Sequence, residues 1–268
     1  MKTLYLDIFS GISGDMFVGA LLDLGVDAHQ FEHELEKLHL DGYHLHISRQ
    51  QKSGIAGTKF DVHLEDDHHH EHSHAGHSHD HGHHGHSHPH EHGHSHGHEH
   101  HHDEERTFTE IRRLISETKL SEWTKKKSIA VFQRIANAEG AIHGRPPEQV
   151  HFHEVGAVDS IIDIVGACIA LEMLGKPRVL AAPVVEGTGW INCAHGRFPI
   201  PAPATLAILG ARGAAVTQSD EPHELVTPTG AALLAEFAET FAPMRGLVAE
   251  KIGFGLGTRD NKTRPNVL

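Results

Sequence analysis

Hydrophobic and polar positions along this chain alternate between two periods, which predicts strands interleaved with helices. Thr3 to Phe9 is β-favouring and alternating, a strand that runs into the tight Ser10-Gly-Ile-Ser-Gly-Asp15 loop. Met16 to Leu24 then reads as a helix ended by Gly25, and His29 to Leu38 as a second, amphipathic one. Two strand-like segments follow, Tyr43 to Gln50 and Gly57 to Leu64, separated by Lys52-Ser53-Gly54. Apolar residues at three- and four-residue spacing predict helices near Thr107 to Thr118 and Ser121 to Ile142, closed by Gly144-Arg-Pro-Pro. Val150 to Glu154 reads as a short strand, Asp159 to Leu174 as a core helix, and Val179 to Val185 as a further strand. Pro201 to Leu209 and Thr229 to Phe241 read as helices entered through Pro- or Thr-containing turns. The expected fold is α/β, a layered mixed sheet with helices.

The pattern fails between Asp66 and Glu105. Twenty of the 31 histidines fall between His68 and His102, among Gly, Ser, Glu and Asp, with no Lys or Arg. With no large apolar residue to bury, the tract is expected to be a disordered insertion. It divides the chain into residues 1–65, the tract 66–105, and the remainder 106–268 of one α/β domain. Neutral imidazole is a common ligand for Ni, Zn, Cu and Co, and the tract offers many, including His68, His69, His70, His100, His101 and His102. It does not select the metal, since Cu(II) binds imidazole more tightly than Ni(II) or Zn(II). A solvated linker and a pH-responsive segment are the bland alternatives to metal handling.

Charge and composition narrow the class. The formal net charge is −13, and the nine acids of the tract leave only −4 on the rest, which argues against a nucleic-acid surface. Two cysteines, Cys168 in an apolar run and Cys193 in a loop, do not make a disulfide framework, so a cytoplasmic setting is expected. The longest apolar run, Val158 to Leu174, is broken by Asp159, Asp163 and Glu172, so no membrane span is expected.

Four segments carry candidate chemistry. In Asp7-Ile-Phe-Ser-Gly-Ile-Ser-Gly-Asp15, Ser10, Gly11, Ser13 and Gly14 form a loop whose N–H groups can hold an anion, while Asp7 and Asp15 can face a metal or a ribose. The alternative is a plain turn with Ser13 or Asp15 as helix cap. In His151-Phe-His153-Glu154…Asp159…Asp163, His151 and His153 share a strand face, and Asp159 and Asp163 share a helix face. Two imidazoles and a carboxylate make a metal set with open positions. In the Pro-stiffened loop around Ala194-His195-Gly-Arg197, His195 can act as ligand or acid/base and Arg197 can pair with a phosphate; a connector without chemistry is equally compatible. In Glu224-Leu-Val-Thr227-Pro-Thr229, a threonine caps the following helix and Glu224 can add an oxygen ligand.

Together SGISGDM, HFHEVGAVDSIIDIVG, AHGRFPIPAPAT, ELVTPTGAALL and GFGLGTRD…RPNVL resemble the nickel insertion proteins of the lactate racemase cofactor pathway. The resemblance spans nearly all of the chain outside the tract. It implies a cyclometallase (nickel chelatase) that places Ni(II) in pyridinium-3,5-bisthiocarboxylic acid mononucleotide, with lactate racemase as recipient of the cofactor. It also implies CTP dependence with Mg or Mn. Family members continue past Arg264-Pro-Asn-Val-Leu268 into a region associated with the nucleotide triphosphate, so the chain is expected to be the N-terminal part of a longer protein that needs its C-terminal part. An oligomer is compatible with the sequence. On this reading the tract gathers nickel, and His151, His153, Glu154 and Asp159 receive it. Ser10–Gly14 or Thr229, with Arg197, holds the phosphate, and His195 or Glu154 accepts the ring proton. The rival readings are a storage protein without catalysis and a metallohydrolase using His151, His153 and Asp163.

Overall fold

The structure, a computed structural model, describes residues 2–64, 106–152, 155–193 and 196–268. The tract, His153, Glu154 and His195 lie outside the described residues.

Strand β1 (Thr3–Leu6) pairs in parallel with β6 (Arg178–Ala181), which pairs in parallel with β11 (Ala238–Phe241). Segments from both sides of the tract therefore share one three-stranded sheet with β6 at its centre. The antiparallel strands form separate ladders. These are β2 (Tyr43–Lys52) with β3 (Ile55–Leu64), β4 (Arg106–Thr107) with β5 (His151–Phe152), and β8 (Trp190–Cys193) with β9 (Gly196–Pro199). A short parallel pair joins β7 (Val184–Glu186) to β10 (Val216–Gln218). The α/β class holds, with parallel and antiparallel strands sorted into different sheets.

Helix α5 (Val158–Met173) is the axis of the core. Ten of its residues, from Ile161 to Leu171, are buried, as its nearly unbroken apolar sequence demands. It packs against α1 (Gly14–Asp23), α2 (Ala28–Leu35), α4 (Glu122–His143), α7 (Pro228–Phe237) and β3. Phe31 of α2 meets Phe60 of β3 edge-on at 5.9 Å and seals the hairpin to this core. Helix α3 (Phe108–Glu117) starts in a capping box between Thr107 and Glu110, and α6 (Pro203–Ala211) starts on proline. Glu236 of α7 binds Lys127 and Arg134 of α4 at 2.7 and 2.8 Å. No helix among the described residues is long and apolar enough to cross a membrane.

Three expectations about elements need correction. The helix expected to run to Phe241 ends at Phe237, and Ala238–Phe241 becomes β11. Pairing with the buried edge of β6 outweighs the helical pattern there, and Arg212 donates to the Ala238 carbonyl at 2.9 Å. The single strand expected from Val179 to Val185 breaks into β6 and β7, because Pro183 has no N–H to continue the ladder. The stiff loop expected around Arg197 is the β8–β9 hairpin.

Candidate functional site

The five motif segments meet around the N-terminus of α1. The loop after β1 turns at Gly11, whose N–H donates to Ile8. Gly11 has φ +85° and sits so close to the Leu225 carbonyl that a Cβ would lie 2.0 Å from its oxygen. Ile12 then bridges Val226: its N–H donates to Leu225 at 2.9 Å and its carbonyl accepts from Thr227 at 3.2 Å. Thr205 donates to the Val226 carbonyl at 3.3 Å, which ties in the AHGRFPIPAPAT segment. From the last motif, Asn261 donates to the buried Ser10 hydroxyl at 3.3 Å, Arg264 to Phe9 at 2.8 Å, and Arg259 to Glu224 at 3.3 Å.

Two buried carboxylates fix this arrangement through backbone N–H groups. Glu186 accepts from Gly187 at 2.7 Å, Leu225 at 2.6 Å and Val226 at 3.2 Å. Burial raises its pKa in spite of those three donors. Glu221 accepts from Lys262 at 2.8 Å and Thr263 at 3.0 Å; burial opposes its charge, but these bonds outweigh it and lower its pKa.

The head of α1 is a charged cluster. Ser13 occupies the N-cap position, yet its hydroxyl bonds Asp15 rather than the helix backbone. Asp163 of α5 supplies the cap from outside, accepting from the Asp15 N–H. Gly14 is required here, since a Cβ would fall 2.5 Å from the Asp163 carboxylate. Lys59 of β3, itself buried, reaches Asp15 at 2.9 Å and Asp61 at 2.5 Å. Burial alone would depress the Lys59 ammonium, but Asp15 and Asp61 hold its pKa above the usual value. Asp163 is pushed well above the carboxylate range by burial, then by the charges of Asp15 and Asp159. Thus Asp15 and Asp159 share one electrostatic neighbourhood, while Asp7 lies exposed just past β1.

His151 belongs to a different place. It lines a cleft of about 120 Å³ with Glu139, His143, Cys193, Phe198 and Glu224. Glu139 and His143, one turn apart on α4, are 3.3 Å from each other. Cys193 donates to Gly196 at 3.4 Å. Residues Ile191, Cys193 and Phe198 line the cleft, so strand alternation puts Asn192 and Arg197 on the other face of the hairpin. There Arg197 stacks over the exposed indole of Trp190 at 4.9 Å. Thr227 caps α7 by accepting from Gly230 at 3.1 Å, and Thr229 is buried in the first turn.

The structure therefore separates the sequence-derived metal candidates into His151 at the cleft and Asp15 with Asp159 at the head of α1. Among the described residues, no three His, Cys, Asp or Glu donors meet at one point. Sequence reasoning passed over Lys59, which only tertiary packing brings to Asp15, and the Glu139–His143 pair, which its four-residue spacing near a helix end could have flagged.

The fold is α/β, and its largely apolar cleft is edged by imidazole, thiol and carboxylate groups, donor types that borderline metals accept, without a formed three-donor set among the described residues. The chain belongs to the nickel insertion protein family, whose model matches residues 4–268. It is 46% identical to the pyridinium-3,5-bisthiocarboxylic acid mononucleotide nickel insertion protein of Geobacillus kaustophilus over its full length. It is 45% identical to the protein of the same description from Lactiplantibacillus plantarum over 97% of the chain. A putative nickel insertion protein of Syntrophobacter fumaroxidans is 41% identical over the full chain. The chain spans 59% of the length of each of these relatives. No solved structure matches it.

Proposed function

We propose that this chain takes part in inserting Ni(II) into pyridinium-3,5-bisthiocarboxylic acid mononucleotide, the reaction for which its relatives are described. The observation that carries the reading is the convergence of all five family motifs around the head of α1, with three of them also lining the His151 cleft. In this scheme nickel is the substrate cation. The tract raises its local concentration, as a tether does. His151, with His153 and Glu154 next to it in sequence, receives it; Glu224 and Cys193 add oxygen and sulfur donors at the same cleft, while Asp159, at the head of α1, stands outside this set.

Forming a nickel–carbon bond at the pyridinium ring displaces a ring proton. His195 or Glu154 takes that proton as general base. Asp163 already occupies the head of α1, so the phosphate is assigned to the Thr229 side of the site. Ser10, Gly11, Ser13 and Gly14 support the substrate by shaping the loop. Arg197, on the outer face of its hairpin, meets the phosphate from outside the cleft. CTP with Mg or Mn, the remaining part of the longer relatives, and lactate racemase as recipient complete the scheme.

The test mixes the chain with Ni(II) and the thiolated nucleotide, with and without CTP and the remaining part of a relative. A mass increase of the nucleotide by one nickel less one or more protons is expected in at least one mixture. No nickel adduct in any mixture would overturn the reading. A His153→Ala chain inserting nickel at the normal rate would remove that residue from the metal position. Deleting 68–102 should leave insertion intact at high nickel and lower it at scarce nickel.

A further inference from the structure

The β2–β3 hairpin carries a second group of imidazoles away from the cleft. Its ladder runs without a break from Tyr43↔Leu64 to Lys52↔Ile55. Tyr43, Leu45 and Ile47 pack against the core with Phe60 and Val62. The opposite face presents His44 and His46 on β2 and His63 on β3, all three exposed. His44 lies directly across from His63, and His46 directly across from Asp61. The rings of His46 and His63 meet on the diagonal, edge to face, with centroids 6.1 Å apart.

We propose that His44, His46 and His63, whose ring nitrogens do not already converge on one point, close on one borderline divalent cation of the Ni(II), Zn(II), Cu(II) class on this face. Opposed strand positions hold their Cβ atoms about 4.5–5.5 Å apart, which suits two imidazoles on one ion. Metal–nitrogen bonds of about 2.1 Å would bring neighbouring ring centroids to about 4.5–5 Å. For His46 and His63 the observed 6.1 Å therefore closes with a shift of about 1 Å, which exposed side chains reach by rotating about χ1 and χ2. The backbone need not move, because the hairpin is anchored by Phe31 against Phe60 and by Thr58 bonded to Phe254 and Leu256. Asp61 is held by Lys59 at 2.5 Å, so its charge is partly neutralised and the donors are imidazole nitrogens. That favours a borderline ion over Mg(II) or Ca(II). His63 precedes His68, the first histidine of the tract, by five residues, so the site stands where the chain enters the tract. It gives the folded domain a landing point for the ion, separate from the cleft. The proposal does not rest on the insertion reaction.

The test uses the full chain and residue-resolved carbethoxylation by diethyl pyrocarbonate, with free Ni(II) fixed by a chelator buffer. A coordinated nitrogen does not react, so at free Ni(II) ten times the dissociation constant the rate at each ligand should fall about eleven-fold. His44 and His46 share a tryptic peptide with exposed His39, which serves as the internal control. Slowing at His44, His46 and His63 but not at His39, and no slowing with Mg(II), is the expected result. Equal slowing at His39, or none at the three, would overturn the site. In a His46→Ala chain, checked for native circular dichroism, protection of His44 and His63 should weaken at the same free Ni(II). Undiminished protection there would also overturn it. Because the readout is metal contact, a failed insertion assay leaves this result standing, and the reverse holds too.

Discussion

Replacing Glu186 by alanine should be among the most damaging single changes to the fold. The side chain is fully buried and accepts from the N–H groups of Gly187, Leu225 and Val226. Alanine leaves three buried donors without an acceptor, each worth about 1–3 kcal/mol, and opens a cavity besides. Water entering the cavity recovers part of this, which leaves an expected loss of about 3–5 kcal/mol. That is a large share of the roughly 5–15 kcal/mol that holds a domain folded. Glu186→Gln keeps the shape and one acceptor but turns an NH2 group toward backbone donors, so it should cost about 1–3 kcal/mol. Urea unfolding followed by circular dichroism measures both. An alanine variant within about 0.5 kcal/mol of the parent would refute the reasoning and show that those N–H groups find other partners.

Other outcomes follow from the same geometry. Gly11→Ala should destabilise the fold by about 2 kcal/mol or more, since its φ is +85° and a Cβ meets the Leu225 carbonyl; thermal unfolding reads it. Asp163 has a folded pKa raised above its unfolded value, so the stability it adds is complete below about pH 4 and is lost as pH rises through the folded pKa. Asp163→Asn should therefore gain stability relative to the parent as pH rises from 4 to 8 in unfolding titrations. A constant difference would contradict the raised pKa. Burial pushes the Cys168 thiol up to about 12, so alkylation at neutral pH should label Cys193 alone, with Cys168 reacting only in denaturant. Peptide mapping after iodoacetamide treatment distinguishes them.

Local pattern alone located most elements because each depends on neighbours a few residues away. The amphipathic α3, the uniformly apolar α5 and the alternating β2 and β3 are visible in their periodicity. Boundaries decided by partners distant in sequence were not visible. Ala238–Phe241 is helical by composition and a strand because β6 is there to pair with it. The motif segments were legible as chemistry, yet their grouping was not. Asp15 and Asp159 share a neighbourhood through Asp163, while His151, close in sequence to Asp159, lines another surface.

The sequence by itself pointed to a borderline metal, through the density of its imidazoles, and determined the family, through the order of five motifs. Tertiary structure alone decided which groups are free to act. It brought Asp163 to the head of α1, where the sequence left an anion site and a plain capping turn both open, and turned Arg197 onto Trp190. It also set His44, His46 and His63 on one face. The reason is physical: a side chain's chemistry is written in its residue type, but its charge state, partners and exposure come from what the fold packs against it.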